Sequence, residues 1–416
     1  MKKSVLLVKP VIAALFLFLA LSVRSQEPAG YQKPPDAISE LLLARSLPGV
    51  SVDSRGEWML LSERSSYPSV EELAEPEWRI AGMRINPLNY APSRESRISG
   101  FSLQHIQTGA RYKIDGLPVP LRAKSVRWSP SEKKIAFLQV TAARVDLYVV
   151  DLATRKAERI SRQPLNTVMT DGYRWLDDNT LLYLAAIKPA SEAPRKPLMP
   201  AGPAIQESAG KASPSRTYQD LIKTPFDERL FEFYATAQLI RNSKGAETKI
   251  GKPAIYADFD PSPDKAYLLA RTLQRPFSYL VPAGRFPSQV SIIDGKGKLV
   301  KVLASLPSGE TSPSGADNMQ NIPRNFDWRD DAPATVTWCE PLDSGLIKKD
   351  QAFHDALYAL KAPFTGSPRE LFRTAMRFRR ITWGTDSIAL VGEGLRGKQL
   401  TRLNIYNPAT GSLEKL

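Results

Sequence analysis

An aromatic-anchored strand, a tight polar turn and a second apolar strand recur along this chain, and that recurrence limits the possible fold more than any other feature. The clearest copy is VRWSPSEKKIAFLQVTAARVDLYVVD, residues 126–151. Val126 and Trp128 mark a first strand, SPSEK (129–133) a turn, and Ile135, Phe137 and Val140 a second strand. The β-rich run Leu147-Tyr148-Val149-Val150 then ends at Asp151, with Thr154 closing the unit.

Degenerate copies follow at YRWLDDN (173–179), FDPSPDK (259–265), FDWRDD (326–331) and ITWGTD (381–386), each leading into an apolar run. The last copy repeats the ending too, in LNIYN (403–407) with Thr410-Gly411, and an earlier one spans 52–109 through DSRGEW (53–58). Copies lie roughly 45 to 85 residues apart, which fits four-stranded propeller blades of about 40 to 50 residues that carry insertions. A lone blade cannot bury its aromatic face, so the copies imply one all-β disc, a β-propeller with about six blades visible, in which each Trp packs blade on blade.

Residues 1–25 read as a signal peptide. Lys2 and Lys3 give a basic start, the apolar run 11–23 is short for a membrane span, and Val23-Arg24-Ser25 is an acceptable cleavage site. Removing this segment takes four cations and no acid, so the formal charge of +14 becomes +10. The expected product is exported to the periplasm or cell envelope, or secreted, with no stable membrane span. Its basic charge is dispersed and lacks interleaved aromatics, which argues against nucleic acid as a partner and leaves acidic ligands open. Cys339 is the only cysteine, which excludes an internal disulfide and suggests a buried thiol; His105 and His354 are too few for a histidine metal cluster. No cofactor is expected.

The mature chain begins with an arm and a short helix at 38–45, within a segment 26–49, before the propeller at 50–416. A helix is expected at 69–78, and a long loop at 188–215 opens an insertion that runs to 239. The stretch DERLFEFYATAQL (227–239) fits helix or strand equally.

These interruptions carry a resemblance that the blades do not. Tyr31 with Pro34-Pro35, LAEP (73–76), AGMRI (81–85), KPLMPAGP (196–203) and TYQDL (217–221) resemble glutamyl endopeptidase, a serine peptidase of the prolyl oligopeptidase class. DERLF (227–231), YAT (234–236), GKPAIY (251–256), RPFSY (275–279) and VPAGRFP (281–287) continue it in order and spacing. The resemblance implies a seven-bladed propeller, here incomplete, that restricts access to a C-terminal α/β-hydrolase domain, so that peptides enter and folded proteins do not. The chain departs from that pattern at Leu416, where the hydrolase would follow.

No G-x-S-x-G nucleophile elbow occurs. Thr365-Gly366-Ser367-Pro368 and Ser312-Pro313-Ser314-Gly315 place proline where a helix would have to start, and so read as loops. His105 falls in an alternating strand and His354 precedes another, so no catalytic residue is assigned. Gly392-Glu393-Gly394-Leu395-Arg396-Gly397 lies between strands and reads as a hairpin, not a phosphate loop, and Asp177-Asp178 and Asp330-Asp331 read as turn residues.

A peptide glutamate needs a desolvated bidentate partner, which arginine supplies. Arg84, Arg275 and Arg285 lie in the insertions and are the substrate-binding candidates. The expected function is thus a substrate-gating propeller, inactive alone, with a separate hydrolase chain as possible partner; a truncated relic and an envelope module binding peptide or protein are the alternatives. A sugar- or lyase-type propeller would need clustered acids or histidines that the chain lacks.

Overall fold

The computed structural model describes residues 34–44, 46–197, 217–349, 351–385 and 387–416. The expected signal peptide and most of the Pro-rich loop lie outside them. The chain divides into two compact units, Met1–Ser46 and Leu47–Leu416. In the first, the short helix runs over Asp36–Leu43 (α1).

Among the described residues the second unit is built from six four-stranded antiparallel blades, the first two joined in one eight-stranded sheet, beside a small three-stranded sheet. Blade 1 pairs Gly49–Val52, Trp58–Arg64, Ile98–His105 and Arg111–Lys113; blade 2 pairs Ala123–Trp128, Lys134–Val140, Val145–Asp151 and Lys156–Arg159. A single register pair, Ile98 with Ala123, joins these two into one sheet. Blade 3 takes Tyr173–Asp177, Thr180–Ala186, Ala237–Ser243 and Ala246–Ala254; blade 4, Tyr256–Pro261, Tyr267–Leu273, Ser288–Asp294 and Leu299–Leu306. Blade 5 takes Arg324–Trp328, Thr335–Pro341, Asp355–Lys361 and Arg369–Thr374; blade 6, Arg377–Thr385, Ile388–Leu395, Leu400–Tyr406 and Leu413–Lys415. The repeated unit is therefore strand, turn, strand of a propeller blade.

Burial follows the blade order. One apolar cluster holds Leu103 and Phe137 between blades 1 and 2, and the next holds Leu138 and Tyr183 between 2 and 3. Leu182 and Phe259 sit between 3 and 4, Ile292 and Trp338 between 4 and 5, and Cys339 and Tyr406 between 5 and 6. Alternating side chains make this possible, since the strands of an inner blade can feed the clusters on both of its faces. Cys339 is fully buried in its strand, and burial pushes its thiol up to about 12.

The aromatic anchors also tie the first strands together. Trp128 donates its indole N–H to Ser51 Oγ (2.8 Å), Trp175 to the Arg127 carbonyl (3.3 Å) and Trp328 to the Asp260 carbonyl (3.0 Å), each on the preceding blade. Where blade 4 has Phe259 instead, Arg174 stacks on its ring and pairs with Asp258 at 2.8 Å.

The insertions depart from expectation in detail. The helix expected at 69–78 is one turn, Val70–Leu73 (α2), capped by Ser69 and Glu72, and Pro76 ends it. Trp78–Ile80, Met83–Asn86 and Ala91–Pro92 then form a small sheet. Residues 227–239 resolve into both alternatives: helix Pro225–Ala235 (α3), capped by Thr224 and Asp227, runs directly into strand Ala237–Ser243. Gly392–Gly397 is a hairpin end.

In blades 1, 3 and 4 these insertions connect the second strand to the third. In an up-and-down sheet that connection and the crossing to the next blade emerge at the same end. Ile85, Tyr90, Ile222, Phe231, Phe277 and Phe286 accordingly share one core. Gly82, at φ 75°, abuts Pro282, where a Cβ would come within 2.3 Å of Pro282 Cβ.

Candidate binding site

The crossing from blade 4 to blade 5, residues 307–322, folds back toward this insertion core and encloses a cavity of about 350 Å³ with the turn Ala283–Arg285 and Tyr218. Two further arginines reach it from blade strands: Arg271, near the end of Tyr267–Leu273, and Arg324, the first residue of its strand. Glu310 is the single acid in the lining. A second cavity of about 610 Å³ shares Arg271, Leu306, Ile322 and Arg324 as a wall and carries Asp258, Asp260 and Asp327.

The three arginines differ in what holds them. Arg271 donates Nε to Ser288 Oγ at 3.1 Å and has no carboxylate within ion-pair distance among the described residues; burial lowers its pKa, against a weaker pull from Asp258. Arg285 stacks on the Tyr218 ring at 5.8 Å and makes no ion pair among the described residues. Arg324 sits beside a bulge at Asn325 (φ 54°) and donates Nη2 to Asp355 at 2.5 Å, while its Nη1 is buried without a partner. A bulge re-aims the side chain next to it.

The cavity loop is pinned from the far side. Asp317 accepts the backbone N–H groups of Arg396 and Gly397 (2.7 and 2.8 Å) and Arg379 Nη2 (3.1 Å), all from blade 6. Met319 donates its N–H to Gly345, and Asn318 Oδ1 accepts from Ile347. Behind them Arg377, fully buried, bridges Asp343 (2.6 Å) and Asp355 (3.1 Å) and donates Nε to the Asp317 carbonyl.

Of the arginines singled out from sequence, only Arg285 lines this cavity. Arg84 Nε lies 3.6 Å from Asp220, and Arg275 is held by Glu228 (2.7 Å) and Glu232 (2.9 Å), anchoring α3. Arg271 and Arg324 escaped the sequence reading because they occupy blade strands, where a polar residue reads as an outward-facing position. The one available signal was their proximity in sequence to RPFSY and to the proline-rich crossing.

No catalytic constellation forms among the described residues. His105 packs edge-on against Trp58, and His354 Nδ1 meets Asp343 Oδ2 at 2.9 Å with no serine hydroxyl on the ring. The turn acids act as turn residues: Asp177 accepts from the Asn179 N–H, and Asp331 pairs with Arg329. No group of three His, Cys, Asp or Glu able to hold a metal occurs among the described residues.

No family model matches the chain. It is 32% identical over 396 residues to a probable chloroplastic glutamyl endopeptidase of Oryza sativa subsp. japonica, and 32% over 403 residues to one of Arabidopsis thaliana. These alignments cover 91% and 92% of this chain and 42% of each relative, so the chain spans less than half the length of the relatives it matches. Among solved structures, an acylaminoacyl peptidase of Pyrococcus horikoshii aligns with TM-score 0.40 and 11% identity over 91% of this chain and 46% of that one. The tricorn protease gives 0.43 and 12% over 86% and 34%. The match to the plant proteins agrees with the motifs in the insertions, and by it this chain resembles the propeller portion of a glutamyl endopeptidase-like peptidase of the prolyl oligopeptidase class.

Proposed function

We propose that this chain is the substrate-gating propeller of an exported glutamyl endopeptidase-like serine peptidase and that it does not hydrolyse peptides by itself. The observation that carries the reading is the sequence relationship over nine-tenths of the chain. Two features support it. The insertions assemble one core beside the blades, and the edge of that core presents Arg285 to a cavity that Glu310 also lines. The given sequence carries no nucleophile elbow, and on this reading the hydrolysis belongs to a domain or chain that carries Ser, Asp and His.

Mass-spectrometric peptide mapping of the protein from its native envelope fraction tests this, following peptides up to and past Leu416. Peptides continuing into a segment with G-x-S-x-G, or a co-purifying hydrolase chain, together with glutamyl-peptide cleavage by that material and none by residues 26–416 alone, are expected. A product ending at Leu416 with no hydrolase fragment would remove the peptidase reading and leave a binding propeller.

A further inference from the structure

Two glycines press the outer edge of blade 3 against the last hairpin of blade 4, and lysines surround the contact. Gly251 donates its backbone N–H to the Lys296 carbonyl at 3.3 Å, and a Cβ on Gly297 would stand 2.2 Å from the Gly251 nitrogen. Both glycines take positive φ, 61° and 85°, which glycine adopts without steric penalty. Lys252 follows the first glycine, and Lys296 and Lys298 flank the second. Lys249 and Lys301 lie on the adjoining strands, and all five lysines are exposed.

These charges are poorly balanced where they stand. Lysines elsewhere find acids, Lys124 at Glu95 and Lys156 at Glu158. None of these five comes within ion-pair distance of a carboxylate among the described residues. The strand Leu299–Leu306 carries no acid, and Ala246–Ala254 carries only Glu247, which accepts from the Tyr183 hydroxyl (2.6 Å) and the Arg162 N–H (2.8 Å). Asp294 accepts the N–H groups of Lys296 and Lys298 at 2.8 and 2.9 Å and so holds its own turn. Arg241 comes to the same hairpin, its Nη2 lying 2.9 Å from where a Cβ on Gly295 would stand. Six cations thus share this rim with two acids.

The rim is also apolar where it meets water. Leu299 is 53% exposed, Val300 38% and Val302 37%, along the outermost strand of blade 4. Leu299 and Val302 pair with Ile293 and Ser291 and share the face turned toward blade 3. Lysines and bulges commonly keep an edge strand from pairing with another chain, and this edge is already broken by bulges at Val290/Ser291 and Ile292/Ile293. Edge protection accounts for Lys301, but not for lysines gathered at the turn beside aliphatic side chains. Aliphatic groups ringed by cations match the boundary between anionic headgroups and acyl chains. A nucleic acid would call for rings to stack on its bases, and residues 244–252 and 294–303 include no aromatic.

We infer that this rim of blades 3 and 4 is a docking surface for an anionic lipid bilayer, with Lys252, Lys296 and Lys298 meeting headgroup phosphates and Leu299 and Val302 entering the acyl boundary. The contact is peripheral, and it neither rests on the peptidase reading nor follows from it.

Co-sedimentation of residues 26–416 with sucrose-loaded vesicles tests this; the apolar run 11–23, which would partition by itself, is left out. Phosphatidylcholine vesicles with about one-third phosphatidylglycerol should hold the protein at least roughly tenfold more tightly than phosphatidylcholine alone, and salt at about 0.5 M should remove most of that difference. A lysine near such a surface contributes roughly fivefold. The variant carrying Lys252→Gln, Lys296→Gln and Lys298→Gln should therefore bind at least roughly tenfold more weakly. A control carrying Lys133→Gln, Lys398→Gln and Lys415→Gln has the same net charge and should bind like the parent. Leu299→Ser with Val302→Ser should weaken binding roughly threefold or more and leave its salt dependence in place. The same proteins are titrated with a labelled DNA duplex. No preference for the anionic vesicles, equal losses from the two triple variants, or a first triple variant that loses DNA binding and keeps vesicle binding would each overturn the lipid surface. Should that variant not fold, Lys298→Gln alone serves in its place with an expected loss of roughly threefold or more, and no loss overturns the surface equally.

Discussion

The indole N–H of Trp328 donates to the backbone carbonyl of Asp260 at 3.0 Å, so a side chain at the start of blade 5 is stitched to the first strand of blade 4. The same relation links Trp128 to Ser51 and Trp175 to Arg127. The repeated tryptophan is therefore a clasp between successive blades as well as core filling. Trp328→Phe keeps much of the buried ring but leaves the carbonyl without its donor, and should cost about 1 to 2 kcal/mol. Trp328→Ala adds a cavity and should cost about 3 to 5 kcal/mol. Urea unfolding followed by the remaining tryptophans checks both, and equal losses from the two variants would show that the hydrogen bond contributes nothing distinct.

This clasp explains why the blades were legible. Aromatic, turn and apolar run recur because each blade meets the same neighbour in the same way, so the pattern is local and periodic. Residues 227–239 were ambiguous for the opposite reason: the helix Pro225–Ala235 and strand Ala237–Ser243 adjoin with only Thr236 between them, and no turn signal separates the two periods. Arg271 and Arg324 were hidden by their setting. Nothing in Leu269-Ala270-Arg271-Thr272 distinguishes an arginine aimed at a cavity from one aimed at water, because the wall that makes the cavity comes from residues 307–322 and from Arg285. Arg275, by contrast, drew notice through its motif, and the structure shows it saturated by two glutamates on α3.

Arg377 and Asp343 set the acid limit of blades 5 and 6. Burial alone would push the Asp343 carboxyl up, but hydrogen bonds from Arg377 and His354 and the Arg377 charge hold it below the usual range. A carboxyl depressed in the folded state adds stability above its unfolded pKa of about 4 and loses that contribution as pH falls through this value toward the folded one. Removing the cation leaves two aspartates buried without it, so Arg377→Met should cost about 3 to 5 kcal/mol at pH 7. The pH dependence should also reverse, with the variant regaining stability from pH 7 to 5 while the parent stays flat. Urea midpoints across pH 3 to 8 decide this, and parallel curves for the two proteins would contradict it.

Gly345 couples that network to the cavity. It has φ 80°, and a Cβ there would stand 2.0 Å from the Met319 carbonyl oxygen, which is backbone and cannot swing away. Gly345→Ala should therefore displace the loop at 318–320 and cost more than about 1 kcal/mol. The stretch of cavity wall formed by Met319 and Gln320 should shift with it, although residue 345 does not line the cavity. A crystal structure of a destabilised variant with residues 318–320 unmoved would show that the loop position is set elsewhere.

Cys339 reports on the integrity of the interface between blades 5 and 6. Its sulfur is fully buried and its thiol is pushed up to about 12, chiefly by burial, so the nucleophilic thiolate is scarce at neutral pH. A disulfide reagent at pH 8 should modify the native protein at least roughly a hundredfold more slowly than the urea-unfolded protein, because reaction must wait for opening. Comparable rates would show that this interface opens far below the global unfolding free energy.

The first and last blades differ from the inner four in having a packed cluster on one face only among the described residues. On blade 1, Val50 and Val52 pair with Leu61 and Met59 and remain 58% and 47% exposed; on blade 6, Ile388 and Leu390 are 42% and 37% exposed. Apolar strands of this kind, flanked by no further sheet among the described residues, invite association through their faces. Residues 26–416 should self-associate with rising concentration, and Val52→Lys with Leu390→Lys should weaken that association by roughly tenfold or more while the fold persists. Light scattering coupled to size exclusion measures it directly. A parent protein that stays monomeric into the hundred-micromolar range would mean that these faces are tolerated in water, and that the inner blades alone hold the disc together.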